Sequence, residues 1–208
     1  MKYFPEKLYD HIGVYLDGYF DLLRSALVGI DREQLQVAAD MIAETVARDG
    51  MIFSCGNGGS AAIANHLACD CLKGARNRST IRPRVTSLSA TVEVMTAIAN
   101  DLGYDEVFAY QLSSLARPGD TLVAISSSGE SPNIVKAVDW ARRHGVRTIA
   151  MTGFDGGKAM DMADVSLHVE AHNYGVVEDA HQALMHTLAQ YVRHRHLEEP
   201  ELIGTHKF

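Results

Sequence analysis

The chain has 208 residues, of which 47% are hydrophobic, and it carries a formal net charge of −7 at pH 7. This size suits a single globular domain, and an acidic chain without a basic block is not expected to bind nucleic acid non-specifically. No apolar run approaches the ~20 residues that a membrane-spanning helix needs, so we expect no membrane partner.

The N-terminus lacks the apolar stretch of a signal peptide, and the three cysteines, Cys55, Cys69 and Cys71, have no C-x-x-C spacing. Both features favour a reducing cytoplasm over an exported, disulfide-bonded protein. Cys69 and Cys71 are expected to be buried thiols of the core.

Residues 1–48 have the pattern of helices throughout. The second of these helices, about 32–48, repeats apolar residues at helical spacing and is followed by Gly50, which favours a helix end. We therefore predict a helical N-terminal arm over residues 1–48 that packs on a neighbouring subunit. The chain is predicted to form a single domain overall, whose body spans residues 49–208 after this arm.

After residue 50 the pattern changes to short apolar runs that alternate with helical segments. The runs lie at 51–55, 84–89, 121–126, 147–152 and 165–169. The helical segments lie at about 61–72, 91–99, 106–116, 132–144 and 178–195. This alternation predicts an α/β fold with a five-stranded parallel sheet between helices. Ligands of such sheets bind at the carboxyl ends of the strands, so the loops there are candidate sites.

The first such loop is "SCGNGGS", from Ser54 to Ser60. Its glycines allow close approach of the backbone to a ligand, and Ser60 is placed to cap the next helix. It is neither a Walker A loop, because no G-K-[ST] follows, nor a G-x-G-x-x-G loop, because Ala61 stands where the last glycine belongs. An anion loop and a plain strand-to-helix turn both remain open.

The second loop is "SSSGESPN", from Ser126 to Asn133. Ser131 before Pro132 predicts a helix start, with Ser131 as its cap. Capping does not account for Ser126, Ser127 and Ser128, whose hydroxyls near a helix N-terminus suit a phosphate. A polar loop that merely caps its helix is the alternative. No acidic residue follows the first loop at the ~20-residue distance that a dinucleotide ribose requires, which favours a small sugar phosphate.

Carboxylates and histidines recur at helical spacing in two segments. His66 and Asp70 are four residues apart, so they share a helix face and could form half of a zinc site or a surface ion pair. In the last helix Glu178 and Gln182 are four apart, as are Gln182 and His186. Glu178 and His186 are separated by about 12 Å of helical rise. Both reach one ion only if Glu178 lies in or before the first turn, or if they serve sites in different subunits.

Five motifs in chain order carry a resemblance to a known family. They are "CGNGGSA", "TAIANDLGYDEVF", "GDTLVAISSSGESPNIVKA", "TIAMTGFDGG" and the terminal E-x7-H, within residues ~34–195. Together they resemble the sugar isomerase (SIS) domain proteins and, among these, the sedoheptulose 7-phosphate (phosphoheptose) isomerases. The resemblance implies a flavodoxin-like three-layer sandwich, a homotetramer and active sites between subunits.

The resemblance also implies roles for individual residues. A zinc ion would be held by His66, Asp70, Glu178 and His186, with Asp70 and His186 as the catalytic acid/base pair. Substrate contacts would fall on Asn57, Gly58, Gly59, Ser60, Asn100, Asp101, Ser126, Ser127, Ser128, Ser131 and Glu178. Asp70 stands where the family has Glu, and Glu178 where it has Gln. The shorter Asp70 side chain withdraws the carboxylate expected to act as base, whereas two histidines and two carboxylates still suit a divalent cation.

The implied activity is the metal-dependent isomerisation of sedoheptulose 7-phosphate to glycero-manno-heptose 7-phosphate through a cis-enediol, which feeds surface polysaccharide such as lipopolysaccharide. One alternative is an SIS isomerase of another sugar phosphate. Another is a non-catalytic SIS protein that binds a sugar phosphate or a protein partner. The joint presence of the four predicted metal ligands favours an enzyme.

Overall fold

The computed structural model describes residues 3–205, apart from the side chain of residue 202. Its centre is one parallel sheet with strand order β2-β1-β3-β4-β5. The strands are β1 (Met51–Gly56), β2 (Arg84–Ser87), β3 (Thr121–Ser126), β4 (Arg147–Thr152) and β5 (Val165–His168). All five match predicted runs, and the α/β prediction is confirmed.

Within residues 3–205, eight α-helices surround the sheet. They are α1 (Ile12–Val28), α2 (Arg32–Ala47), α3 (Gly59–Cys69), α4 (Val92–Asp101), α5 (Ala109–Leu115), α6 (Pro132–Arg143), α7 (Gly157–Met162) and α8 (Tyr174–His194). The six-residue α7 was not predicted, because it is short and begins with glycine. A π-helical turn, Asp70–Ala75, continues α3 directly.

Alternate side chains of the strands face opposite sides of the sheet, and each side has its own core. Ile52 and Val123 point toward α2, α3 and α8, whereas Phe53 and Leu122 point toward α4, α5 and α6. Burial on both faces explains why the strands read as continuous apolar runs.

The cysteines divide between core and surface. Cys55 and Cys71 are buried, and burial raises the pKa of the Cys71 thiol to about 12. Cys69 is exposed, so its predicted burial is wrong: α3 turns this position outward. All three are free thiols.

The prediction of helix throughout the N-terminal segment is wrong for residues 3–11, which are not helical; residues 1 and 2 lie outside the described part of the chain. Pro5 disfavours helical backbone at Phe4, and the Phe4 ring instead packs 4.9 Å from that of Tyr15 on α1. The second predicted helix is present as α2, capped by Asp31, which accepts hydrogen bonds from two backbone N–H groups. Its buried residues join the core, so α2 packs as part of the α/β body.

The strand order places the two predicted loops side by side. β1 lies next to β3 in the sheet, and Gly56 pairs with Ile125 at their carboxyl ends. The chain runs to opposite sides from these two strands, which is where α/β sheets form their ligand crevice. Among the described residues, no helix has both the length and the apolar composition to cross a membrane.

Candidate functional site

The loop after β1, residues 56–60, is a tight strand-to-helix turn. Gly58 has a φ of +54° and precedes the first residue of α3, Gly59. Ser60 is therefore inside the helix and buried, and it does not occupy the capping position that the sequence predicted. Gly56 is constrained by close approach, since a Cβ there would overlap the backbone of Ser60.

The loop after β3, residues 126–131, carries the predicted serines. Ser126 and Ser128 accept hydrogen bonds from the backbone N–H groups of Gly129 (3.2 Å) and Glu130 (3.3 Å). Ser131 does precede α6, but its hydroxyl caps nothing. The Ser127 hydroxyl oxygen is buried without a hydrogen-bond partner. Buried polar atoms are nearly always paired, so the unpaired Ser127 hydroxyl retains the capacity to bond a ligand.

Two asparagines join these loops. Asn57 and Asn133 exchange two amide hydrogen bonds of 2.9 Å, and the Tyr104 hydroxyl donates a third, also 2.9 Å, to the Asn57 oxygen. Asn133 is fully buried and also accepts a hydrogen bond from the Ile134 N–H. Asn57, predicted as a substrate contact, thus has an observed structural role.

A pocket of about 140 Å³ lies between the loops. It is lined by Asn57, Ser60, Ile125, Ser126, Ser127, Ser128, Ser131, Tyr174 and Glu178. We refer to it as the serine pocket. Seven of these nine residues were predicted as substrate-binding; Tyr174 and Ile125 were not. Tyr174 is the first residue of α8, and no spacing in the sequence pointed to it.

A second group of side chains connects α3 and α8. Ligand atoms of His66, Asp70 and His186 lie within 4.8 Å of one another. The two Asp70 oxygens face different imidazoles, at 3.3 Å from His66 Nε2 and 3.5 Å from His186 Nε2. The imidazole rings are T-shaped, with centroids 4.9 Å apart. We call these three residues the histidine–aspartate cluster.

Gln182 contacts both histidines of this cluster, whereas Glu178 is not part of it. The Gln182 amide nitrogen lies 3.1 Å from His66 Nδ1 and 3.0 Å from His186 Nε2. Glu178 is one helical turn earlier, in the second turn of α8, and its carboxylate lies against Gly59, where a Cβ would overlap it. The four-residue spacing of Gln182 from His186 was the signal that could have identified it.

Neighbouring residues on α8 hold the helix in place. The Tyr19 hydroxyl of α1 donates a 2.6 Å hydrogen bond to Asp179, and burial together with this bond raises the pKa of Tyr19 above its ordinary value. On the opposite side, the buried His181 contacts the Thr152 carbonyl at the end of β4. Asp179 and His181 therefore fix the rotation at which Gln182 and His186 face α3.

Asn100 and Asp101, also predicted as substrate contacts, lie apart from the serine pocket. They are exposed at the end of α4, where the Asn100 amide donates a 2.8 Å hydrogen bond to Asp101. Neither residue lines the serine pocket.

The histidine–aspartate cluster suits a divalent metal. Two imidazole nitrogens and a carboxylate oxygen are the donors that zinc prefers in catalytic sites, where three protein ligands leave one position open. All three residues are partly exposed, so a fourth ligand can enter.

Comparisons with known proteins identify the family of this chain. The model of the SIS domain matches residues 15–153. The phosphoheptose isomerase of Chlorobaculum parvum is 39% identical over 178 residues, which are 84% of this chain and 84% of that protein. The chain belongs to the phosphoheptose isomerase family. It is accordingly an enzyme of the aldose–ketose isomerase class.

Solved structures of this family share the fold. The phosphoheptose isomerase of Neisseria gonorrhoeae superposes with a TM-score of 0.79 at 33% identity, covering 87% of this chain and 96% of that one. The Francisella tularensis phosphoheptose isomerase gives a TM-score of 0.80 at 27% identity, covering 88% and 96%. The predicted family and fold are thus confirmed.

Proposed function

We propose that the chain isomerises a seven-carbon sugar phosphate, converting sedoheptulose 7-phosphate to glycero-manno-heptose 7-phosphate for surface polysaccharide. The observation that carries this proposal is the position of the histidine–aspartate cluster on the same two helices, α3 and α8, that border the serine pocket. A hydroxyl-lined anion pocket can hold the phosphate of such a substrate, and a metal-binding group can polarise the oxygens at its reacting end.

The serine pocket is proposed to hold the phosphate. The Ser127 hydroxyl has no partner and the Ser131 hydroxyl does not cap α6, so both can donate hydrogen bonds to phosphate oxygens at the N-terminus of α6. Asn57 positions this pocket through its bonds to Asn133 rather than by offering a free amide oxygen. Gly58, where a Cβ would meet nothing within 4 Å, leaves the backbone of this loop accessible to the sugar, whereas Gly59 faces Glu178.

The reaction requires a proton to leave the carbon beside the carbonyl and return to the neighbouring carbon. A zinc ion at His66, Asp70 and His186 would polarise the substrate oxygens. Asp70 and His186 are the proposed acid/base pair, and His186 can move the proton between oxygens. Because both Asp70 oxygens face imidazoles, Asp70 must turn away from one of them to act as a base.

The proposed assembly is a homotetramer in the cytoplasm with sites shared between subunits. The exposed apolar side chains of α1 support this proposal, among them Ile12 (79% exposed) and Phe20 (56% exposed). The position of Asn100 and Asp101 away from the serine pocket suits contacts with the site of a neighbouring subunit.

The test compares sedoheptulose 7-phosphate with five- and six-carbon ketose phosphates by following aldose formation with NMR. We expect turnover to be fastest on the seven-carbon substrate, and His186→Gln to lower kcat by about 100-fold or more, as expected when a positioned proton-transfer group is removed. Turnover unchanged in His186→Gln would overturn the assignment of that residue. Faster turnover of a five- or six-carbon ketose phosphate would overturn the proposed substrate assignment.

A further inference from the structure

The serine pocket contains a charge that opposes its proposed ligand. Glu178 is its one ionisable carboxylate, and none of the residues that line it in the described part of the chain is lysine or arginine. Near neutral pH a phosphate monoester carries a charge of about −1.5 to −2. Like charges this close, with no cation between them, repel each other strongly.

The Glu178 carboxylate can take this position because Gly59 has no side chain. It lies against the bare Cα of Gly59, at a point where a Cβ would overlap the carboxyl group. Glu178 is half-buried, so water screens its charge incompletely.

A divalent cation bound further along α8 would offer the Glu178 carboxylate an opposite charge. Gln182 is one turn further along α8 and touches both histidines of the histidine–aspartate cluster, and His186 is two turns along. A divalent cation at His66, Asp70 and His186 would attract the Glu178 side chain in this direction. Rotation about the side-chain torsions of Glu178 can redirect its carboxylate while the backbone of α8 stays in place.

We propose that Glu178 makes phosphate binding in the serine pocket depend on the divalent metal. Without the metal, the carboxylate occupies the pocket and opposes phosphate. With the metal, the carboxylate turns toward the histidine–aspartate cluster and the pocket accepts the anion. This inference rests on the proposed function, because it concerns the pocket assigned there to the substrate phosphate.

The test measures inorganic phosphate binding by calorimetry, with the full chain either metal-free or loaded with one equivalent of Zn²⁺ and freed of excess. For the unchanged chain we expect zinc to tighten phosphate binding by about tenfold or more. Metal-free Glu178→Gln should already bind phosphate about tenfold more tightly than the metal-free unchanged chain. Zinc should then add no more than about threefold, which is the direct attraction between the two ions. Because coupling is reciprocal, phosphate should tighten zinc binding by the same factor.

Asp179→Asn is the matched control, since it removes the same charge one residue away from a side chain that bonds Tyr19 and does not line the pocket. It should leave the zinc effect on phosphate intact. Gly59→Ala is the second variant: it keeps the carboxylate but displaces it, so it should raise metal-free phosphate affinity as Glu178→Gln does.

Two results would overturn the proposal: equal phosphate affinity in the metal-free forms of the unchanged chain and Glu178→Gln, or an equal effect of zinc on both. Either can occur in a chain that turns over a sugar phosphate, in which case the proposed function stands and this inference fails. If phosphate binding depends on zinc as expected but no sugar phosphate is turned over, this inference stands and the proposed function fails.

Discussion

Asn57 and Asn133 bind each other through two reciprocal amide hydrogen bonds of 2.9 Å. Asn57 follows β1 and Asn133 is the second residue of α6, so this pair ties together the two loops of the serine pocket. The two loops are therefore coupled, and we expect a substitution that displaces one loop to displace the other.

Replacement of Asn133 with alanine should lower the free energy of unfolding by about 1–3 kcal/mol, because it leaves buried amide groups without partners. Asn57→Ala should lower it less, since Asn57 is partly exposed. The double variant should lose less than the sum, by about 1 kcal/mol, because both changes remove the same bonds. Urea unfolding measures these values, and exposed Asn100→Ala is the control. Strict additivity would show that the pair is not coupled.

Gly129 is required by close packing as well as by its backbone conformation. Its φ is +65°, and a Cβ there would overlap the carbonyl oxygen of Gly156. Gly129→Ala should lower the free energy of unfolding by about 3 kcal/mol or more, from strain and overlap together. Gly119 is the matched control: its φ is +93° but a Cβ would meet nothing within 4 Å, so alanine there adds only strain, about 1–2 kcal/mol. Similar losses at both positions in urea unfolding would contradict the packing argument.

The buried His181 should make stability fall in mild acid. Burial lowers its pKa to about 4 from the ordinary 6.5. Between these values the unfolded chain binds a proton that the folded chain does not, so the free energy of unfolding falls as pH decreases from 6.5 toward 4. This group alone should account for about 2 kcal/mol between pH 7 and pH 5.

The measurement compares the pH dependence of urea unfolding for the unchanged chain and His181→Gln, in which the amide can still donate to the Thr152 carbonyl. Their difference in stability should shrink by that amount toward pH 5. Parallel curves for His181→Gln would mean that His181 binds its proton normally.

Gln182 should contribute to metal affinity. Its amide lies 3.1 Å from His66 Nδ1, the ring nitrogen that does not face Asp70, and contacts to this second nitrogen orient metal-binding histidines. Gln182→Leu should weaken zinc binding by about 10- to 100-fold. Competition with a chromophoric chelator measures this, and Gln36→Leu, exposed on α2, should bind zinc normally. Unchanged affinity in Gln182→Leu would limit Gln182 to a structural role.

The sheet was predictable because its strands are buried on both faces and so form continuous apolar runs, such as Thr121–Ser126. His66 and Asp70 were also predictable, since four-residue spacing places both on one face of a helix. The approach of His186 to them depends on the contact between α3 and α8, which the residues' spacing does not contain and only the family resemblance suggested.

The errors came from local geometry that depends on tertiary contacts. The alanine-rich segment after Ser60 predicts a helix that Ser60 caps. The helix α3 instead begins at Gly59, where the chain passes close to Glu178. The direction of the Glu178 side chain follows from that same approach. A pattern of residue types records the spacing of Glu178 along α8, but not the neighbour that it meets.

Turnover of sedoheptulose 7-phosphate, measured together with the metal content of the same purified protein, tests the proposed isomerase most directly. We expect one divalent ion per chain, turnover that chelation abolishes and zinc restores, and loss of the ion in a His66→Ala, His186→Ala double variant. A metal-free protein that binds the sugar phosphate without converting it would instead be a binding protein and would overturn the proposed function.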